Sequence, residues 1–429
     1  MSFLIGRSRY HILIFLLISL TLLNFSLNAL PAAIKSGYIS SIISILILAY
    51  CFGKGYKVKL SGSLIVTTVF PLALSCIAIL SAIIHNTFEY NLISLPLRVV
   101  SYTSISLAIC YIARVKLRLE HHESIAYVLK IVCLVFAFHS VVIISQYSSF
   151  EAREFFYSIF NVGKAERYVV SGARLSGIME SMPIISFTHG IVATISFYLY
   201  VTGEGKKYLF LYFLIFVPML FVARTGLFLA AFVPIVFLAF DWKINFKRYL
   251  FFFTVFSVFA LALLFFALHT DSMYLKRSFE MFYGFFSTGS FATSSTNDLI
   301  SNHWAVVPDS AGVLLFGAGT ADTAILGLSN TDVGFLRMVF FSGLIGLLIT
   351  FFCYIFIHVS LYSIAVNKKA FKALVFIFFF SWIMLNMKDY VIFGGGHYFI
   401  IVVLSYLAYS PFGFLEKSNL SQSKMVARC

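Results

Sequence analysis

Apolar residues in this chain come in long unbroken blocks, not in the alternating or three-to-four rhythm of elements that present one face to water. The blocks lie at residues 10–30, 36–53, 62–84, 93–113, 123–146, 184–203, 207–222, 225–241, 248–268, 334–360, 370–387 and 391–410. A hydrocarbon core about 30 Å thick needs about 20 apolar residues per crossing helix, so the pattern predicts about twelve transmembrane helices. The first block follows Arg7 and Arg9 as a signal peptide would. It is too long for that role and has no small-residue cleavage site, so it reads as the first helix.

The blocks divide the chain. Residues 1–146 form an N-terminal transmembrane scaffold of helices one to five, 147–183 a first large loop, and 184–268 helices six to nine. Residues 269–333 form a second large loop, 334–410 helices ten to twelve, and 411–429 a tail. With 61% hydrophobic and only 11% charged residues, an ordinary soluble domain is excluded. The expected fold class is all-α, a polytopic integral membrane protein.

Charge then sets the orientation. With the N-terminus in the cytoplasm, the cytoplasmic pieces are 1–9, 54–61, 114–122, 204–207, 242–248, 364–372 and 411–429, and every one carries Lys or Arg. Short cytoplasmic loops show this excess. Both termini are therefore expected inside and both large loops outside. The net charge of +14 reports orientation. It does not point to nucleic acid, which calls for an exposed basic face with aromatic or groove-reading side chains, and none is present. The six cysteines are scattered through apolar blocks and the C-terminus, with no disulfide framework and no zinc spacing, and are expected in the core.

Candidate chemistry concentrates in the two large loops and the short connections beside them. A loop longer than about 15 residues is usually functional or disordered. The second one keeps Trp304 and Phe316 and is expected to fold as the working part. It holds Arg277 and the Asn302-His303-Trp304 cluster and ends in LLFGAGTADTAILGLSNTDVGFLRMVFFSGLIGLL, where Gly317-Ala318-Gly319 precedes Asp332-Val333-Gly334 and Arg337. Gly343 and Gly346 beyond it read as small residues for close helix packing. In the first loop Arg153, Lys164, Arg167 and Arg174 stand among Glu151, Glu154, Glu166 and Glu180. Arg153 and Lys164 are expected to pair with glutamates on an amphipathic helix. Arg174, in a Gly-containing turn that leads straight into a membrane helix, is placed to face the headgroup plane.

Arg224 lies in Ala223-Arg224-Thr225-Gly226, a tight hairpin between two apolar blocks. A charge there is costly unless it faces a polar cavity or a bound anion, with a lipid phosphate as the plainer partner. Its planar guanidinium suits bidentate contact with phosphate. Arg98, just after Pro96, divides evenly between snorkelling and function, and Lys130 reads as snorkelling. Lys388 and Asp389, between the last two blocks, are expected to neutralise one another.

Taken in order, ARTG in a helix hairpin, a large outer loop with Arg277 and Trp304, LLFGAGT, and DVGFLRMVFFSGLIGLL resemble the O-antigen polymerases (Wzy type), relatives of the O-antigen ligases. The resemblance covers mainly residues 167–346. Such polymerases carry an Arg followed at fixed spacing by Gly in both large outer loops, and Arg167 with Gly177 and Arg277 with Gly289 match that spacing to within one residue. The ligases carry a His-Asn pair ahead of the closing helix. Asp332 stands at that point here with no His near it in sequence, which favours the polymerase.

The resemblance implies a GT-C-like fold with two large periplasmic loops in the bacterial inner membrane. It implies a reaction in which a polyprenyl-diphosphate-linked oligosaccharide is transferred to the sugar hydroxyl of another lipid-linked repeat unit. The partners implied are that donor and acceptor, membrane lipid and a chain-length regulator protein, with no cofactor. Arg224 and Arg277 would stabilise the diphosphate leaving group, with Arg174, Arg167, Arg337 and Lys388 binding it. Asp332 would orient or deprotonate the acceptor, with Glu180 behind it, and Trp304, Glu180 and His303 would meet sugar. Several arginines without an acidic triad suggest chemistry that needs no metal. Three other readings stand beside this one: a ligase acting on lipid A-core, a flippase, and a membrane acyltransferase. A flippase calls for charges within helices and two similar halves, and an acyltransferase for a helical His with an acidic partner. Neither pattern is visible.

Overall fold

A computed structural model describes residues 2–31, 34–56, 62–162, 174–179, 182–269, 279–280, 289, 297–364, 369–389, 393 and 395–409. The helices are α1 (Ser2–Leu23), α2 (Ser36–Gly53), α3 (Gly62–His85), α4 (Asn91–Tyr111), α5 (His121–Ser148), α6 (Phe150–Ile159), α7 (Met182–Val201), α8 (Lys207–Phe216), α9 (Met219–Val222), α10 (Arg224–His269), α11 (Ala311–Phe316), α12 (Gly334–Ile364), α13 (Lys369–Asn386) and α14 (Gly395–Tyr409). Ser26–Leu27 and Phe160–Asn161 add a two-residue antiparallel pair that ties the α1–α2 connection to the chain beyond α6. Among the described residues, eight helices are long and apolar enough to cross a membrane, and four shorter apolar helices occupy the other predicted blocks. Extended Ala223 separates two of these shorter helices.

The bundle is organised around α7, 94% buried along its span. A helix apolar on every side belongs in the interior. Its small polar side chains are satisfied at no cost to packing: Thr188 donates to the carbonyl of Ile184 (2.7 Å), Thr194 to that of Gly190 (2.9 Å) and Ser196 to that of Tyr208 (2.7 Å). Helices in lipid associate through small residues that let backbones approach, and α7 crosses α10 in this way. Gly190 faces Gly226 closely enough that a Cβ on Gly190 would lie 2.8 Å from the Gly226 carbonyl, and a Cβ on Gly226 would overlap the carbonyl of Ser186. The Ser186 hydroxyl donates to the carbonyl of Ala223 and accepts from the N–H of Gly226 (3.1 Å). Gly226 of the ARTG motif is thus the crossing point.

Two hairpins follow. The Tyr212 hydroxyl reaches the carbonyl of Ala230 at 2.8 Å, so α8 and the start of α10 lie side by side around Ala223. Helical structure runs unbroken through α10, yet the Tyr249 hydroxyl donates to the Phe237 carbonyl at 3.1 Å. Twelve residues of straight helix would separate them by about 18 Å. The chain therefore folds back within α10, and the two predicted blocks are antiparallel limbs. Phe197 of α7 packs on both, with ring centroids 5.3 Å from Phe237 and 4.7 Å from Phe252.

Several expectations are revised. Lys130 reaches the connection after α7, where its ammonium pairs with Glu204 at 2.6 Å. Arg153 caps α5 by donating to the carbonyl of Gln146, with no contact to a glutamate among its hydrogen bonds. Lys164 lies outside the described residues. Four of the cysteines, Cys51, Cys110, Cys133 and Cys353, are buried as expected, whereas Cys76 is exposed.

Replacing Gly226 by Ala is expected to lower stability by about 1–3 kcal/mol, the usual cost of overpacking. Thermal unfolding of the detergent-purified protein measures it, and an unchanged midpoint would rule out the α7–α10 crossing.

Candidate functional site

The charges singled out in the sequence come together through three backbone devices. The first is the segment 174–179, which runs buried between α5 and α9. The N–H of Leu175 donates to the carbonyl of Phe221 (3.0 Å). The fully buried amide of Gln146 takes both backbone groups of Gly177, accepting from its N–H (3.1 Å) and donating to its carbonyl (2.9 Å). The N–H of Ile178 donates to His139 Nε2 at 3.3 Å. These bonds set Arg174 beside the turn at Ala223 that carries Arg224.

The second device is Gly334 at the start of α12. A Cβ there would overlap the carbonyl of Asp389 and lie 2.9 Å from that of Asn386. This contact brings the Asp332 end of the second loop against the turn after α13, where Lys388 sits.

The third is the Gly-rich turn, which serves as a fastening. The N–H of Ala318 donates to the carbonyl of Phe340 (2.6 Å), Ser81 to that of Phe316 (2.7 Å) and Thr87 to that of Ala318. Glu89, in the α3–α4 connection, accepts at one carboxylate oxygen from the Thr320 hydroxyl (2.5 Å) and the N–H groups of Ala321 (2.9 Å) and Asp322 (3.0 Å). Gly343 kinks α12 at φ 69°, ψ −177°, where its missing Cβ admits the Leu315 carbonyl. The sequence suggested packing at Gly343; the structure adds a left-handed kink that favours glycine.

The outcome is a cluster of mixed charge at one end of the bundle, with the cations Arg174, Arg224 and Lys388 set among Asp332, Asp389 and Glu280. Lys388 is held below its ordinary 10.5, first by burial and then by the nearby Arg224 and Arg174 cations, while Asp389 and Asp332 pull the other way. The expected Lys388–Asp389 neutralisation is therefore outweighed. Arg224 Nη1 pairs with Glu280 Oε2 at 3.0 Å. Glu280 was not singled out from the sequence, because nothing in its surroundings there distinguishes it.

Beside this cluster lies a His–Asp arrangement hidden from the sequence. His303, in the short helical turn Leu299–His303, accepts at Nδ1 from the N–H of Asp332 (3.0 Å). Thr331 donates to the carbonyl of His303 (2.7 Å). A ring nitrogen that accepts carries no proton, so the proton resides on Nε2, 3.3 Å from Asp298 Oδ2 and 3.9 Å from Asp332 Oδ2. The expectation that Asp332 has no histidine near it holds along the chain and fails in space. Asp298 is held below the usual carboxylate range, chiefly by a hydrogen bond from Asn302 (2.7 Å) and then by His303. Its share in fixing this turn is present above pH 3.8 and lost as pH falls through its lowered value.

Arg337 Nη2 donates to Asn330 Oδ1 (3.1 Å). The Trp304 side chain follows His303 in chain order and is 38% exposed. Arg167, Arg277 and Glu180 lie outside the described residues. Among the described residues no three His, Cys, Asp or Glu side chains are placed to hold a metal ion.

Because burial and two cations oppose charging of Lys388, its ammonium weakens the fold below its lowered pKa, and that cost disappears as pH rises through it. Lys388→Met is expected to unfold at the same temperature as the wild type or higher at pH 7, and to lose part of the stabilisation that added inorganic diphosphate gives the wild type. A fall of several degrees in the midpoint would show that Lys388 is structural. Comparison with known protein families, characterised proteins and solved structures finds no match.

Proposed function

We propose that this chain is a polyprenyl-diphosphate-dependent glycosyltransferase that polymerises lipid-linked oligosaccharide repeat units into O-antigen or a related surface polysaccharide. In this reading it lies in the bacterial inner membrane with its site on the periplasmic side. The observation that carries the proposal is the convergence of Arg174, Arg224 and Lys388 with Asp332 and Asp389 at one end of a membrane bundle. A cation that burial has already made costly, as at Lys388, is suited to a diphosphate, whose negative charge grows as it leaves.

The chemistry asks little beyond this. The acceptor hydroxyl attacks the anomeric carbon of the donor sugar, the bond to the diphosphate oxygen breaks, and its electron pair departs with the diphosphate. Arg224, Arg174 and Lys388 stabilise that charge, with Arg277 and Arg167 as further candidates on the loops. Asp332, 66% exposed, accepts the hydroxyl proton. His303 serves as a positioning residue, since its Nδ1 holds the Asp332 backbone and its Nε2 proton faces carboxylates. Glu280 holds Arg224 until a diphosphate competes for it.

The ligase reading keeps one specific observation in its favour, the contact between His303 and Asp332. A test of surface polysaccharide separates the two. In cells making Arg224→Ala, Arg277→Ala or Asp332→Ala at normal level, the polymerase reading expects single-repeat-capped lipid in place of the long ladder. Each lost charged contact, worth about 1.5–3 kcal/mol, slows transfer by roughly ten- to 100-fold. Long chains accumulating on the lipid carrier with no capped lipid would establish a ligase, and normal ladders in all three variants would remove the site assignment.

A further inference from the structure

A second cationic pocket lies away from this cluster, between α1, α2 and α4. Its cavity volume is about 100 Å³, enough for a headgroup and not for a whole drug-sized ligand, and its lining includes Lys35, Gly37, Tyr38, Tyr90, Ser94 and Arg98.

Three features of the pocket point to one ligand chemistry. Arg98 is half-buried about two turns into α4 and forms no ion pair among the described residues. The nearest acid in sequence, Glu89, is spent on Thr320, Ala321 and Asp322. Lys35 is the N-cap of the 18-residue α2 and offers no side-chain cap, while Gly37 of the first turn lines the pocket. A helix start of this kind favours an anion. Independently, Ser94 is only 4% exposed, and its hydroxyl has no hydrogen-bond partner. A buried hydroxyl left unpaired costs stability, and a ligand oxygen would satisfy it. On the rim, the Tyr38 and Tyr90 hydroxyls bond to each other at 3.0 Å.

We propose that this pocket binds a phosphate group, with the Arg98 guanidinium and Lys35 ammonium as cations and the Ser94 hydroxyl as a donor to a phosphate oxygen. Its position at the ends of membrane helices suits the phosphate of an amphiphile whose chain lies in the bilayer, and inorganic phosphate offers the same chemistry. The proposal rests on this pocket alone and does not depend on the transferase reading. The half-buried Arg98 is thereby assigned a binding role in place of snorkelling.

The test is native mass spectrometry of the full chain in neutral detergent, titrated with dodecyl phosphate and, separately, with inorganic phosphate. The wild type is expected to bind one dodecyl phosphate saturably. Arg98→Gln should weaken this at least tenfold and Ser94→Ala several-fold, while Arg224→Gln leaves the Arg98-dependent site in place. Arg98→Lys, which keeps the charge, should fall between wild type and Arg98→Gln, and it serves should the glutamine variant fail to fold. Binding of dodecyl phosphate alone identifies a lipid headgroup as ligand; equal, Arg98-dependent binding of inorganic phosphate identifies the free ion. Undiminished binding in both Arg98 variants, loss in Arg224→Gln alone, or no binding by the wild type would overturn the proposal.

Discussion

The contact on which the molecule turns is the meeting of two backbones at Ser186, Gly190 and Gly226. In lipid there is no water to satisfy an interrupted helix, so a break is tolerated only where protein supplies the missing partners. Ala223 is such a break, and the Ser186 hydroxyl serves both sides of it, donating to Ala223 and accepting from Gly226. Because α10 can approach α7 this closely, the break sits at a fixed height, and Arg224 with it. The buried strip at 174–179 then uses the carbonyl of Phe221 at the same break to fix Arg174. Two cations are positioned by one defect in a helix pair.

Holding like charges together works against stability, and the fold accommodates it by distributing acids around the rim. Glu280 faces Arg224, while Asp332 and Asp389 act on Lys388 from the second loop and the α13 turn. None of these acids is deeply buried, so each can yield to a more highly charged anion. The aromatic stack beneath them, where Trp382 lies on Tyr354 with centroids 4.1 Å apart and Tyr354 in turn meets Phe393 at 5.6 Å, provides a stiff apolar floor.

How much of this the sequence disclosed follows from the range over which each signal acts. Helix α5 was plain because 28 residues of nearly continuous apolar character admit no other structure at membrane depth. Arg224 stood out because a charge between two apolar blocks is anomalous locally. Lys388 and Asp389, by contrast, looked self-neutralising, since nothing in sequence shows that Arg174 and Arg224 lie closer in effect. His303 and Asp332 are 29 residues apart and meet only because Thr331 ties the two segments. Glu89 read as part of an unremarkable connection, although it receives three donors from residues 231 to 233 positions away. The reversal within α10 was legible from the basic residues near Lys243–Arg248 even though the backbone there stays helical.

The Gly-rich stretch from Phe316 to Asp322 is fastened on one side to α3 and Glu89 and on the other to the kink of α12. Between α10 and that fastening, the described residues are tied back at Glu280 through Arg224 and at His303 through Thr331 and Asp332. Residues between these ties can be exchanged or lengthened while the membrane bundle stays as it is. On the transferase proposal, selectivity for a new substrate would then diverge under selection at one end of the molecule without reopening the question of how the chain folds.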